Sequence, residues 1–276
     1  MKKLISYVLF GNEPRYWGNI PYIIAATSVI YPDFYMRFYI HEDSISHPYY
    51  QLLKEISEIN DKLEIELISD SYTGTQLTAW RMKPLWDEDI EFLICRDLDY
   101  ALSILERTSV EYFMTQSNCL VHGIRSYHTH TTPYMAGLCG FRVKKVLEMM
   151  KQHISTFEEY ISWGENNVSY CKEWIWGCDQ ALLRNCLYMV GLYPFSLDCP
   201  QYTAPLTIHD FPAELVTSDK YINIPLSNCD REVLQYSDNI SPTFAGQAWN
   251  CKTDDFYKIC ELVNNETSKI LRDYFI

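Results

Sequence analysis

"FLICRDLDYAL", residues 92–102, decides how this chain is read. Four residues of an apolar run, Phe92 to Cys95, lead into Arg96 and then into two aspartates one residue apart, Asp97 and Asp99. The run has the length and make-up of a buried strand. In an extended chain, residues two apart point the same way, so both carboxylates face one side. Like charges held that close repel unless something positive sits between them. A divalent cation is one answer; a helix cap or a turn is the plainer one. A second pair, Asp87 and Asp89 in "WDEDIEF", matches the same D-x-D pattern but precedes the apolar run. Ligands of open α/β sheets bind beyond the carboxyl ends of strands. The later pair is therefore the candidate site, and the earlier one reads as a solvated turn.

Working outward, strand and helix patterns alternate. "LISYVLF" reads as a first strand, and Asn19 as the cap of a helix "IPYIIAATSVI" opened by Pro21. "FYMRFYI" and "LEIELIS" read as strands around a helix "SHPYYQLLKEISEI" that Ser46 can cap. "TQLTAWRMKPLW" reads as helical, and "IEFLIC" as the strand entering the aspartates. Further on, "SVEYFMTQ" suggests a helix, and "CLVHGI" and "MAGLCGF" suggest strands flanking "RSYHTHTTPY". "VKKVLEMMKQH", "CDQALLRNCLYMV" and the tail "DDFYKICELVNNETSKILRDYF", with Thr253 as its cap, have helical spacing. The alternation predicts an α/β fold with a mixed, mostly parallel sheet flanked by helices. No repeat or linker divides the chain. A single domain over 1–276 is expected, with a nucleotide-binding half over about 1–102 and an acceptor-side half over about 103–276.

The bulk properties exclude some functions. A net charge of −13 argues against a nucleic-acid surface. It leaves a nucleotide ligand open, because a bound cation and a few arginines can reverse the local sign. The ten cysteines include no C-x-x-C pair and read as free thiols of a reducing compartment. The start, "MKKLISYVLFGNEPRYWGN", has too short an apolar run for a signal peptide, and no segment is long and apolar enough to span a membrane. The chain is therefore expected to be cytoplasmic, and its three sequons, at Asn167, Asn239 and Asn265, to be chance matches.

The run "TAWRMKPLWDEDIEFLICRDLDYALSILERTSVEYF" resembles glycosyltransferases of the GT-A fold, in which an apolar strand ends in R-D-x-D. "LFGNEPRYWGNIPYIIAATSVIYPDFYMRFYIHED" is similar to the opening strand, loop and helix of a bacterial and viral branch of these enzymes. "HGIRSYHTHTTPYMAGLCGFR" is similar to that branch's R-x-H…G-G-x-W-G segment, and "WGCDQALL" to its D-Q helix, which glycogenin-type enzymes share. Tyr100 stands where a serine is common, and Ala136-Gly137 replaces a Gly-Gly pair.

The resemblance implies hexose transfer from a nucleoside-diphosphate sugar, most readily a UDP-sugar, to a hydroxyl acceptor. It implies a Mn²⁺ or Mg²⁺ ion held by Asp99, with Asp97 a further ligand or facing the ribose, and His209 of "TIHDFP" as a late ligand. Imidazole would favour Mn²⁺. Phe10, Gly11 and Asn12 would dock the base and ribose, with Tyr16 and Asn19 behind them. Arg81 and Arg96 would bind the phosphates or Asp97. Arg125, His128, Ala136 and Gly137 would lie on the sugar and acceptor side. Asp179 and Gln180 would face the reactive carbon. Gln180 cannot act as a base, but its carbonyl can stabilise positive charge on the sugar, which favours retention. Asp179 as a base would favour inversion, with Glu165 and Asp210 as alternatives. Three rivals remain at this level. "FGNEPRYWGN" lacks the basic, Gly-rich loop of a sugar-phosphate nucleotidyltransferase. His128 and His130 form the His-x-His spacing of metal-dependent hydrolases. A sugar-binding module would fit the aromatic surplus but would not need this ordered set of charges.

Overall fold

The computed structural model describes residues 1–69, 71–72, 74–99, 102, 104–115, 120–125, 134–192, 194–198 and 259–274. Its strands are β1 (Lys2–Leu9), β2 (Tyr35–His41), β3 (Leu63–Ile68), β4 (Ile90–Arg96), β5 (Val121–Arg125), β6 (Leu138–Arg142) and β7 (Pro194–Asp198). They form one seven-stranded sheet in the order β3-β2-β1-β4-β6-β5-β7. Only β6 runs against its neighbours, β4 and β5. The expected mixed, mostly parallel sheet is thus what forms, and strands from both halves of the chain build it.

The strand order positions the site. From β1 the chain moves outward to β2 and β3, then returns to the other side of β1 as β4. Connections leave β1 and β4 in opposite directions, so a crevice opens at their carboxyl ends. Central position explains composition. Every residue of β4 except Glu91 is buried, which only a strand covered on both faces requires. On one face lie α2 (Ile20–Ile30), α3 (Pro48–Ile59) and α4 (Ile104–Thr115), with α9 (Asn265–Tyr274), around a core that includes Ile24, Leu53 and Phe113. On the other lie a 3-10 segment (Gly74–Trp86), α5 (Val143–Met150), α6 (Phe157–Asn167), α7 (Ser169–Lys172) and α8 (Cys178–Met189), around Trp80, Phe141 and Leu182. A short α1 (Pro14–Trp17) follows β1. Among the described residues, no helix is long and apolar enough to cross a membrane.

Several local expectations are corrected. "TQLTAWRMKPLW" is 3-10 rather than α-helical, with Pro84 inside it contributing no N–H. The tighter repeat aligns side chains three apart, which puts Thr78 and Arg81 on one edge. The cap of α3 is His47, whose Nδ1 accepts from the Tyr49 N–H at 3.3 Å, and not Ser46. Asn19 caps nothing with its side chain and instead donates to the Leu98 carbonyl at 3.0 Å. The tail is not one helix. Asn264 Oδ1 accepts from the Thr267 N–H at 2.9 Å and starts α9 afresh, because a short amide side chain competes well for a first-turn donor. Thr253 lies outside the described residues.

Candidate active site

A cleft of about 240 Å³ opens in the β1–β4 crevice, lined by Phe10, Gly11, Asn12, Tyr16, Arg81 and Asp97 among others. Gly11 turns the chain out of β1 with φ 63°, a left-handed conformation that glycine adopts without a Cβ clash. The turn is pinned from outside, since the Trp17 indole donates to the Gly11 carbonyl at 2.8 Å. The opposite wall is tied in by Asn19, which reaches the Leu98 carbonyl between the two aspartates.

Arg81 is the centre of the charged arrangement. It is buried, and its backbone is held by the 3-10 segment against β4 through the Cys95 thiol, which donates to the Arg81 carbonyl at 3.3 Å. Its Nε donates to the Thr78 carbonyl at 3.0 Å, which aims the guanidinium fork into the cleft. One nitrogen bonds the Asp97 carboxylate and another stands 3.8 Å from Asp179 Oδ2. Burial would lower the pKa of Arg81, but the Asp97 and Asp179 carboxylates outweigh it and hold it above its ordinary value. The D-x-D strand end and the D-Q helix, 82 residues apart between Asp97 and Asp179, thus meet through one guanidinium.

Asp179 is 8% exposed and sits in the first turn of α8. Its Oδ1 accepts from the Gln180 N–H at 2.9 Å, as suits a carboxylate at a helix N-terminus. Burial raises its pKa; Arg81 opposes that rise and the nearby Asp97 adds to it. The Gln180 Oε1 atom is buried and has no hydrogen-bond partner among the described residues. A polar atom left so is costly unless something not present here uses it.

Asp99 pairs with Arg15 of α1, Nη2 to Oδ2 at 2.9 Å. Arg15 is itself bonded to the Tyr16 hydroxyl at 2.6 Å. Burial and the Asp97 charge push Asp99 above its ordinary value, and Arg15 pulls it back. The two carboxylates of the D-x-D therefore each hold an arginine. Arg15 is not legible as a site residue from the sequence. It sits in "GNEPRYWGN", where nothing local distinguishes a loop arginine from a solvated one, and only the folding of α1 over β4 reveals its partner.

Gly137 and Ala136 lie beside Asp97 because β6 is antiparallel to β4, with Leu138 opposite Arg96. A methyl group on Gly137 would overlap the Asp97 carboxylate. Arg96 is placed differently from the expectation. Its side chain is fully buried at the floor of the cleft, where its guanidinium is engaged by protein groups. It pairs with Glu106 of α4 at 2.6 Å and donates to the Cys95 and Cys139 carbonyls. Its role is to join β4, β6 and α4. The earlier pair, Asp87 and Asp89, lies at the amino end of β4, where Asp87 pairs with Arg37 at 2.9 Å and Asp89 with Lys2 at 3.4 Å. Glu165 on α6 is an accepting partner of Trp174 and Gln76. His128, His130, His209 and Asp210 lie outside the described residues, as does the side chain of Arg125.

Among the described residues, no three or more His, Cys, Asp and Glu side chains form a metal-holding group. Asp97 and Asp99 alone still suit a hard cation whose remaining ligands come from a phosphorylated substrate, which is how such ions are commonly held. No family model matches the chain, and no curated protein matches it. Among solved structures it is similar to a mannosyltransferase, PcManGT from Pyrobaculum calidifontis in complex with GDP-mannose and Mn²⁺, at 9% identity and TM-score 0.42, over 99% of this chain and 73% of that one.

Proposed function

We propose that the chain is a glycosyltransferase of the GT-A type that moves a hexose from a nucleoside-diphosphate sugar to a hydroxyl acceptor. The observation that carries this reading is Arg81, which links Asp97 at the strand end to Asp179 at the helix start beside a cleft at the β1–β4 switch point. A nucleotide lying in the cleft would have its base and ribose against Phe10, Gly11 and Asn12. Its diphosphate would then lie near Arg81 and Arg15, two cations whose carboxylate partners are at hand to be exchanged. The sugar would extend towards Asp179 and Gln180.

Asp97 and Asp99, with His209 as a further ligand, would hold a Mn²⁺ or Mg²⁺ ion; bound there, it supplies Lewis-acid stabilisation of the departing diphosphate. The protein's own part is orientation and electrostatics. Arg81 cannot lose its proton at working pH and so presents a fixed positive charge. Asp179 can orient sugar hydroxyls or accept the acceptor proton. The unpartnered Gln180 carbonyl provides the negative end of a dipole for charge developing on the sugar, which favours retention of configuration. UDP or another nucleoside diphosphate would present the same diphosphate to these groups.

The test is a donor panel. Incubation with UDP-, GDP- and TDP-sugars plus Mn²⁺ should release free nucleotide from at least one donor. Absence of both turnover and binding across the panel would overturn the reading. Proton NMR of a fresh transfer product would then report retention or inversion from its anomeric coupling.

A further inference from the structure

The chain entering α8 has a built shape. The Cys178 N–H donates to the Ile175 carbonyl at 3.0 Å, and Gly177 has φ 82° and ψ 8°. These are the marks of a type II β-turn with Trp176 at its first corner. Trp176 is 86% exposed, whereas among the other described tryptophans Trp17 and Trp80 are buried and Trp86, Trp163 and Trp174 are half-buried. The residue before the turn, Trp174, is the one non-glycine among the described residues with positive φ, at 45°. That conformation is disfavoured for a side chain with a Cβ and persists only where its surroundings over-determine it. Here they do. The Trp174 indole donates to Glu165 at 3.2 Å, its ring packs on the core, and the following Ile175 N–H donates to the Tyr170 carbonyl at 3.1 Å. Two left-handed residues thus bracket a short segment and push its aromatic corner into solvent.

We infer that Trp176 is the platform on which a sugar ring of the acceptor stacks, which makes the acceptor a saccharide or glycoside. The inference rests on the transferase reading for the word acceptor, but the surface itself stands on geometry. Trp176 is three residues from Asp179, so the two Cα atoms are at most about 11 Å apart. That distance is within reach of a sugar ring next to one held at Asp179. Trp carries a large apolar face and a polar edge, which matches the C–H face and hydroxyl rim of a pyranose. Ile175 and Tyr170, both about half-exposed, widen the same corner. The acidic neighbours Glu165 and Glu173, on a chain of net charge −13, disfavour an anionic lipid or nucleic-acid occupant and leave a neutral hydroxylated one.

Saturation-transfer NMR with maltose, cellobiose, lactose and methyl hexopyranosides tests this, on the wild type, Trp176→Ala and Trp176→Phe. Because the side chain is in solvent, both variants should keep the wild-type melting temperature. The expected result is binding of at least one saccharide, weakened roughly three- to ten-fold by the alanine and little by the phenylalanine. Hydrolysis of the preferred sugar nucleotide without acceptor should be unchanged in both. Equal affinity in wild type and Trp176→Ala, or no saccharide bound by the wild type, overturns the platform. If donor turnover is absent but saccharide binding depends on Trp176, the transferase reading falls and the platform stands. If turnover is present and Trp176→Ala transfers to saccharides as well as the wild type, the platform falls alone.

Discussion

At the scale of single residues, charge and shape separate the two D-x-D pairs. Asp87 and Asp89 pair with Arg37 and Lys2 at the amino end of β4, away from the cleft. Their neutralisation removes part-exposed ion pairs, each worth about 0–1 kcal/mol. Asp99→Asn keeps shape at the cleft but removes a candidate ligand charge. It should lower activity by at least about 100-fold, since even residues behind a metal ligand are worth roughly 10- to 100-fold. Asp89→Asn should leave activity within about two-fold, given that small stabilising role. Equal damage from both variants in a steady-state assay would refute the choice of site. Gly137 offers a second residue-level test. Its Cα carries no room for a methyl group, but the obstacle is the carboxylate of Asp97, the end of a short, partly exposed side chain that can rotate away. Gly137→Ala should therefore cost little stability, under about 1 kcal/mol, because the backbone need not move. It should break the Arg81–Asp97 contact and weaken donor binding, read as a higher KM with an almost unchanged melting temperature. A large fall in melting temperature would show that the strain passes to the backbone of β6.

At the scale of elements, six of the seven strands are legible in the sequence, β7 is not, and the partners of all of them are hidden from local pattern. β1 to β4 follow from apolar runs bounded by turn residues, and the strand end at Asp97 follows with them. The D-Q helix was legible as a helix start, but its meeting with Asp97 depends on Arg81, which needs the 3-10 geometry to reach both. A periodic reading assigns Thr75–Trp86 to an α-helix because apolar residues at mixed spacing fit either repeat. Arg96 shows a second limit of local spacing. In R-D-x-D it looks like part of the ligand chemistry, whereas its partner Glu106 is ten residues on in α4 and invisible to local spacing. That pair is fully buried, with Tyr31 also donating to Glu106 at 2.9 Å. Removing one member leaves a charge inside the protein, which costs roughly 3–5 kcal/mol. Glu106→Ala should therefore lower unfolding free energy by about that amount in a urea titration, even though it lies outside the cleft. A loss below about 1 kcal/mol would mean that solvent reaches Arg96 in the variant and that the β4–α4 junction is looser than described.

At the scale of the whole molecule, stability and the site respond to pH through different groups. His122 in β5 is fully buried, hydrogen-bonded to Ser109 of α4 at 2.8 Å and stacked on Phe113 with centroids 5.2 Å apart. Burial, with the Arg96 charge assisting, holds its pKa down to about 3. The unfolded chain binds a proton at that histidine near pH 6.5, and the folded one does not until about pH 3. Between those values the unfolded state holds more protons, so stability rises with pH and is lost as pH falls. The contribution is complete above about pH 6.5 and declines by about 1.4 kcal/mol per unit below it, which is about 2 kcal/mol lost by pH 5. Asp99 and Asp179 act in the other direction, because their raised values let the folded state take up protons first, but their window begins from the ordinary carboxylate range upward. Urea unfolding at pH 5 and pH 7 should therefore show the loss in the wild type and a flatter profile in His122→Gln, whose amide can keep the bond to Ser109. Donor binding should keep its own pH dependence in both, since His122 does not line the cleft. An identical stability slope in the two proteins would show that His122 protonates in the folded state, and that the α4–β5 contact opens well before the molecule unfolds.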